Sequence, residues 1–181
     1  MSESNELPSH PFWGYSLRLY AQPGVQQACL QLQDEFDLDV NLVLFCVWTG
    51  AEGPGELRPE ELAQCIAQGG LWQREVVKPL RLIRRRLKTE SMGAPQALSA
   101  AFRPGVQSLE IEAEHVQQLI LADIVPVQRG TTGPGVAVAN LLAYTHSSGL
   151  APTGPVRQFL LTILGRAFPA EDEDFSEYWP V

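Results

Sequence analysis

The chain lacks the local signatures that usually mark an enzyme. Its 181 residues contain no GxSxG elbow, no P-loop, no dinucleotide fingerprint and no HExxH frame. The histidines, His10, His115 and His146, stand far apart. The glycines of "RGTTGPG" are not followed by Lys-Ser/Thr, so this stretch reads as a flexible loop and at most a weak anion nest. Cysteine is scarce too. Cys29, Cys46 and Cys65 are odd in number, form no CxxC and fall inside apolar helical patterns. Buried, reduced and inert thiols are expected, not a disulfide framework. No apolar run is long enough for a membrane: "VNLVLFCVW" and "GVAVANLLAY" are about half a span. The opening "MSESNELPSH" has neither the basic nor the apolar region of a signal peptide. The expectation is a soluble, cytoplasmic protein with no membrane partner. Cations are few, 13 against 21 acids, and the net charge of −8 repels nucleic acid on average.

Strand alternation of useful length is also missing, and what remains is helical periodicity. Val25, Cys29, Leu32 and Phe36 recur at helical spacing and make one buried stripe. "VNLVLFCVW" is apolar nearly all round, which predicts a central helix. Pro59 opens a helix that Gly69 and Gly70 are expected to close. A basic helix follows from about Leu71 to Lys88, with a kink or break expected at Pro79. "TESMGAPQALSAAFRPG" reads mostly as linker, and the next helix is expected from Val106 to about Ile124, with Val106, Leu109, Ala113, Val116 and Ile120 on one face. Two more helices lie at Val136 to about His146 and Val156 to about Phe168. The reading is an all-α, single-domain bundle of about seven or eight helices over 11–168. A disordered N-terminus (1–10) and an acidic, aromatic C-terminal tail (169–181), expected to be poorly ordered, flank it.

The stretch "FWGYSLRLYAQPGVQQACLQLQDEFDLDVNLVLFCVW" resembles a proteobacterial family known only as a domain of unknown function. "WQREVVKPLRLIRRRLK" and "VQSLEIEAEHVQQLIL" fit the same family. The resemblance implies no activity. In the family pattern a glycine often stands where this chain has Asp37. A left-handed backbone at that position follows, and Asp adopts it more readily than most residues.

Two constellations carry the functional reading. The first is acidic: Asp34, Glu35, Asp37 and Asp39, followed by Asn41. Asp34, Asp39 and Asn41 could offer oxygens to Mg²⁺ or Ca²⁺, but the spacing matches no EF-hand loop. The favoured reading is structural, with Asp39 as the N-cap of the apolar helix and Asp37 in the turn. Asp34 lies near a helix C-terminus, where the dipole disfavours it and suggests a cationic partner, with Arg18 as candidate. No metal, cofactor or catalytic residue is assigned.

The second constellation is basic. At about 100° per residue, Arg74, Lys78, Arg81, Arg85 and Lys88 form one stripe flanked by Arg84 and Arg86, while Val76, Leu80, Ile83 and Leu87 fall roughly opposite and should be buried. Glu75 is the only acid among them. The stripe reads as a docking face for an acidic protein, with RNA as a further possibility, or as a solvated face paired to neighbouring acids. The tail, Glu171 to Trp179, is an internal candidate to cover it. The expected function is a non-enzymatic interaction or regulatory module. A nucleic-acid- or ribosome-associated accessory protein comes second, and a carboxylate metalloenzyme is a distant third.

Overall fold

The computed structural model describes residues 7–125, 130–169 and 175–179. The described residues contain no strand. Among the described residues eight α-helices are formed: α1 (Pro11–Tyr20), α2 (Val25–Phe36), α3 (Val40–Ala51), α4 (Pro59–Trp72), α5 (Lys78–Thr89), α6 (Gln96–Ile124), α7 (Pro134–Ser147) and α8 (Gly154–Ala167). A π turn (Gln73–Val77) joins α4 to α5, and a 3-10 turn (Phe175–Tyr178) follows α8. The chain is an all-α bundle. None of the described helices is long and apolar enough to cross a membrane.

The all-round apolar helix is the centre, since every residue of α3 from Asn41 to Gly50 is buried. Its start follows from two local devices. Asp37 ends α2 with a left-handed backbone, φ 53°. Asp39 then caps α3, its Oδ1 accepting from the Asn41 N–H at 2.9 Å. Helix α7 lies against α3 at Gly50, where an added Cβ would come within 2.4 Å of the Ala137 nitrogen. Helix α1 covers the other side, Phe12 packing on Phe45 and Trp48 with ring centroids 5.2 and 5.1 Å apart. Helix α2 packs on α8, and α4 crosses α6.

Several expectations need correction. Gly69 and Gly70 do not stop α4; they lie inside it. Gly69 is small because α6 passes there: an added Cβ would meet Leu121 Cδ2 at 2.7 Å. The interruption expected at Pro79 takes the form of the π turn just before it, in which the Lys78 N–H reaches back to the Gln73 carbonyl. Proline lacks an N–H and its ring collides with the carbonyl four residues back; a wider turn leaves the ring room without ending the rod. Residues 90–95 of the expected linker are a loop, but from Gln96 onward it is the first part of α6, which contains Pro104. Good helix formers in "QALSAAF" carry it past the flanking prolines. At both ends the order extends further than expected. His10 caps α1, its Nδ1 accepting from the Phe12 N–H at 3.1 Å. Phe175 and Trp179 are buried, and Trp179 Nε1 donates to the Pro152 carbonyl at 3.0 Å. Burial of two large aromatic rings outweighs the solubility of the acids around them. The expected disorder of residues 1–6 falls outside the described residues, as do residues 170–174 of the tail.

The α5–α6 pair carries most of the basic residues. α5 packs mainly on α6 and the π turn, so with the first half of α6 it forms a two-helix arm. At ~1.5 Å per residue, the 29 residues of α6 reach roughly 43 Å.

Candidate functional site: a paired basic face beside a cleft

The arm turns two of its basic residues, Arg81 and Arg84, inward. Arg81 is buried and donates through Nε to Glu110 Oε1 at 3.0 Å and through Nη2 to Glu114 Oε1 at 2.5 Å. Arg84 pairs with both oxygens of Glu110. Glu110 and Glu114 stand one turn apart on α6, so they meet two guanidinium groups one turn apart on α5. Arg85 holds Asp34 through both carboxylate oxygens at 2.7 and 2.9 Å, and Lys78 holds Asp37 at 2.5 Å. Arg74 pairs with Glu75 and Arg86 with Glu90. Lys88 alone of the seven makes no ion pair among the described residues. Burial pushes the Asp34 carboxyl up, but hydrogen bonds from Gln33 and Arg85 outweigh it and hold the group below its usual range. Burial also raises Glu114, against the attraction of Arg81.

The partner of Asp34 is therefore Arg85, not Arg18, which pairs with Glu52 at 3.1 Å. The stripe is not continuous either. The π turn takes an extra residue between Arg74 and Lys78 and so shifts Arg74 out of phase with α5. Within α5 the inward direction is rotated from the expected one: Arg81 is buried, while Ile83 is 41% exposed. Charge explains the rotation. Glu110 faces inward on α6, and a guanidinium opposite it satisfies both groups where an isoleucine would leave a carboxylate stranded.

The other side of the arm is apolar and open. Taking the buried Ser99, Val106 and Glu110 as the inner line of α6, Leu98, Phe102 and Leu109 fall together on the flank away from Gln107 and Ile111. Leu98 and Phe102 are each 65% exposed and Leu109 is 53% exposed. Ile83 and Leu87 fall on the matching flank of α5 by the same spacing. Leu109, expected on the buried face, is thus displaced outward.

Between α1, α2, the start of α3, α5 and α6 lies a cleft of about 460 Å³. Its walls include Trp13, Leu17, Tyr20, Leu44 and Ile111, and its polar end holds Gln73, Arg81, Glu114 and Gln118. A buried hydrogen-bond chain runs from the cleft into the core. Ser16 Oγ donates to Gln118 Oε1 at 3.0 Å, Gln118 Nε2 to Asn41 Oδ1 at 2.8 Å, and Asn41 Nδ2 to Gln117 Oε1 at 2.7 Å. Gln117 Nε2 then donates to Asp39 Oδ2 at 2.5 Å and to the Gly69 carbonyl at 3.1 Å. A carboxylate only accepts, so Asp39 sets the direction of the whole chain. Burial pushes the Asp39 carboxyl up to about 6, against hydrogen bonds from Gln117 and the Asn41 and Leu42 backbone. Asp39 also lines a smaller crevice of about 210 Å³ with Lys78, Tyr144 and Ser148. The Asp39 N–H donates to the Tyr144 hydroxyl at 2.8 Å.

The structure thus brings Asp39 and Asn41 together as a cap and its neighbour, and places Asp34 elsewhere, on Arg85. Among the described residues no three His, Cys, Asp or Glu side chains gather where they could hold a metal ion. Gln73, Gln117 and Gln118 were not singled out from the sequence. A signal existed for one of them: Ala113, Gln117 and Leu121 share a helical face, with a glutamine in the middle of an apolar line.

Fold and site together define a helical bundle with a paired basic helix, a cleft beside it and an open apolar arm. Residues 11–121 match the family model described as a protein of unknown function, DUF2390, and the chain belongs to that family. No curated protein and no solved structure matched.

Proposed function

We propose that this protein is a non-enzymatic interaction module whose α5–α6 arm receives an acidic, amphipathic helix from a partner protein. One observation carries the reading: the arm leaves Leu98, Phe102 and Leu109 open on a single flank of a strongly basic hairpin. Exposed apolar rows of this kind on a two-helix platform suit a helix laid into a shallow groove. Charge selects the partner. Residues 78–103 carry seven Lys or Arg and one acid, Glu90, whereas the rest of the chain carries six and twenty. Two such arms repel each other, which disfavours a second copy as occupant; an acidic helix is attracted. Arg81, Arg84 and Arg85 contribute mainly through the field of the arm, because their donors already hold Glu110, Glu114 and Asp34. Arg74 and Lys78, also paired, act the same way. Lys88 and the exposed Arg86 are the cations best placed for direct contact.

The test uses a synthetic acidic peptide with leucines at helical spacing, a scrambled version of it, and an RNA oligonucleotide. The peptide is expected to bind and become helical, the scrambled one to bind at least tenfold more weakly, and Phe102→Asp to abolish binding. Preferential RNA binding that falls steeply with salt and ignores Phe102→Asp would move the function to nucleic acid.

A further inference from the structure

The guanidinium–carboxylate cluster at the polar end of the cleft is unevenly satisfied. Glu110 receives three N–H bonds, one from Arg81 and two from Arg84. Glu114 receives one, from Arg81 Nη2 to its Oε1. Among the described residues its Oε2 has no hydrogen-bond partner, and neither has Nη1 of Arg84, whose Nε and Nη2 are spent on Glu110. Neither group is sealed in the protein: the Glu114 side chain is 29% exposed and that of Arg84 23%. Both residues line the cleft, and neither lines the smaller crevice beside Asp39. On α6 the cleft wall runs through Glu110, Ile111, Glu114 and Gln118, one face of the helix with Glu114 at its middle. Burial raises the Glu114 carboxyl, Arg81 offsets this only in part, and Glu110 and Asp39 add to it, so the carboxylate gains from a second cationic donor. Gln118 and Asn41 are committed to the chain that ends on Asp39. What is left is one open acceptor and one open donor of opposite charge, beside apolar walls of which Leu17 and Ile111 are about half exposed.

We propose that this cleft binds a zwitterion, a free α-amino acid with an aromatic or large apolar side chain, its ammonium on Glu114 Oε2, its carboxylate on Arg84 Nη1 and its side chain against the apolar walls. The charged groups lining the cleft are Arg81, Arg84, Glu110 and Glu114, which sum to zero. A ligand with a net charge would leave that charge uncompensated in a half-buried site, and a zwitterion does not. An ammonium only donates and a carboxylate only accepts, which matches the two open positions. The volume suits such a ligand, since sites for small molecules span roughly 300–1,000 Å³ and combine apolar walls with a few polar groups. Trp13 and Tyr20 favour a ring as the side chain. The site is separate from the flank of Leu98, Phe102 and Leu109, none of which lines the cleft.

The probes are phenylalanine, phenylethylamine, which lacks the carboxylate, and phenylpropionate, which lacks the ammonium. Each is titrated into the full chain at neutral pH and followed by amide NMR shifts. Saturable shifts at Ser16, Ile111 and Gln118 are expected for phenylalanine, with each singly charged analogue weaker by roughly tenfold, the worth of one charge-assisted hydrogen bond. Glu114→Gln should weaken phenylalanine and phenylethylamine without weakening phenylpropionate. In the unaltered protein, phenylethylamine as tight as phenylalanine overturns the role of Arg84, and phenylpropionate as tight overturns that of Glu114. Either result removes the zwitterion, whether or not the variant folds. Absence of saturable shifts in the cleft at millimolar phenylalanine overturns the site itself.

Discussion

Asp39 ties the cap of the central helix to the buried amide chain, and pH is the cleanest way to perturb it. Its carboxyl is raised from 3.8 to about 6 by burial. The folded state therefore holds the proton more tightly than the unfolded state. The stability this group supplies is fully present below about pH 3.8 and is lost as pH rises through about 6. Two units at ~1.4 kcal/mol each make a loss on the order of 3 kcal/mol. Asp34 works the other way: its depressed carboxyl supplies stability that is lost as pH falls. The raw pH profile therefore mixes both, and the comparison with Asp39→Asn isolates one. Asparagine still caps a helix, though its amide would face the Gln117 Nε2 donor. Pairing then requires Gln117, Asn41 and Gln118 to reverse; the Ser16 hydroxyl, a donor or an acceptor, accommodates this at one end, but the bond from Gln117 Nε2 to the Gly69 carbonyl is lost. That cost does not depend on pH. Urea unfolding of both proteins across pH 4 to 7 should show the parent losing roughly 2 to 2.5 kcal/mol relative to the variant, most of the full effect. A flat difference, or an Asp39 carboxyl carbon titrating near 4 by NMR, would refute the burial argument.

Other outcomes follow from packing and burial. Gly50→Ala should destabilise by about 3 kcal/mol, at the upper end for overpacking, because the new Cβ meets the α7 backbone; Gly70→Ala, with nothing within 4 Å, should stabilise by about 0.5–1 kcal/mol. Chemical denaturation of the two variants checks the contrast, and equal effects would contradict the α3–α7 geometry. Trp179→Ala should cost about 3–5 kcal/mol, since the ring is buried and its N–H is held by the Pro152 carbonyl; a cost under about 1 kcal/mol would contradict the burial of this segment. Cys29 and Cys65 have thiols pushed up to about 12 by burial, and Cys46 is raised further. Native-state labelling of any of the three should run no faster than the opening of the fold.

Most of the helices, the central place of α3 and the Asp39 cap were legible in the sequence, and the left-handed turn at Asp37 was legible from the family pattern. They depend on period and on a few residues, and both are local. The side of α5 that faces inward was not legible. Apolar spacing pointed Ile83 and Leu87 inward, but Glu110 and Glu114 lie some thirty residues away on a helix whose start was hidden by Pro95, Pro104 and Gly105. Glu110 and Glu114 fell inside the helix expected from Val106, yet nothing local places that helix against α5. Asp34 illustrates the same limit: its need for a cation was visible, but tertiary packing chose Arg85 over Arg18. The glutamine chain escaped because single amides in a helix carry no spacing signal until their partners are known.

In the proposed complex the arm's open flank, and not its paired guanidinium face, receives the partner. An amide NMR footprint of the acidic amphipathic peptide tests it directly. The predicted footprint centres on Ile83, Leu87, Leu98, Phe102 and Leu109, while the Nε signals of Arg81 and Arg84 stay in place. A footprint centred on Arg81, Arg84 and Glu110, with those guanidinium signals shifted and Phe102 unmoved, would contradict it.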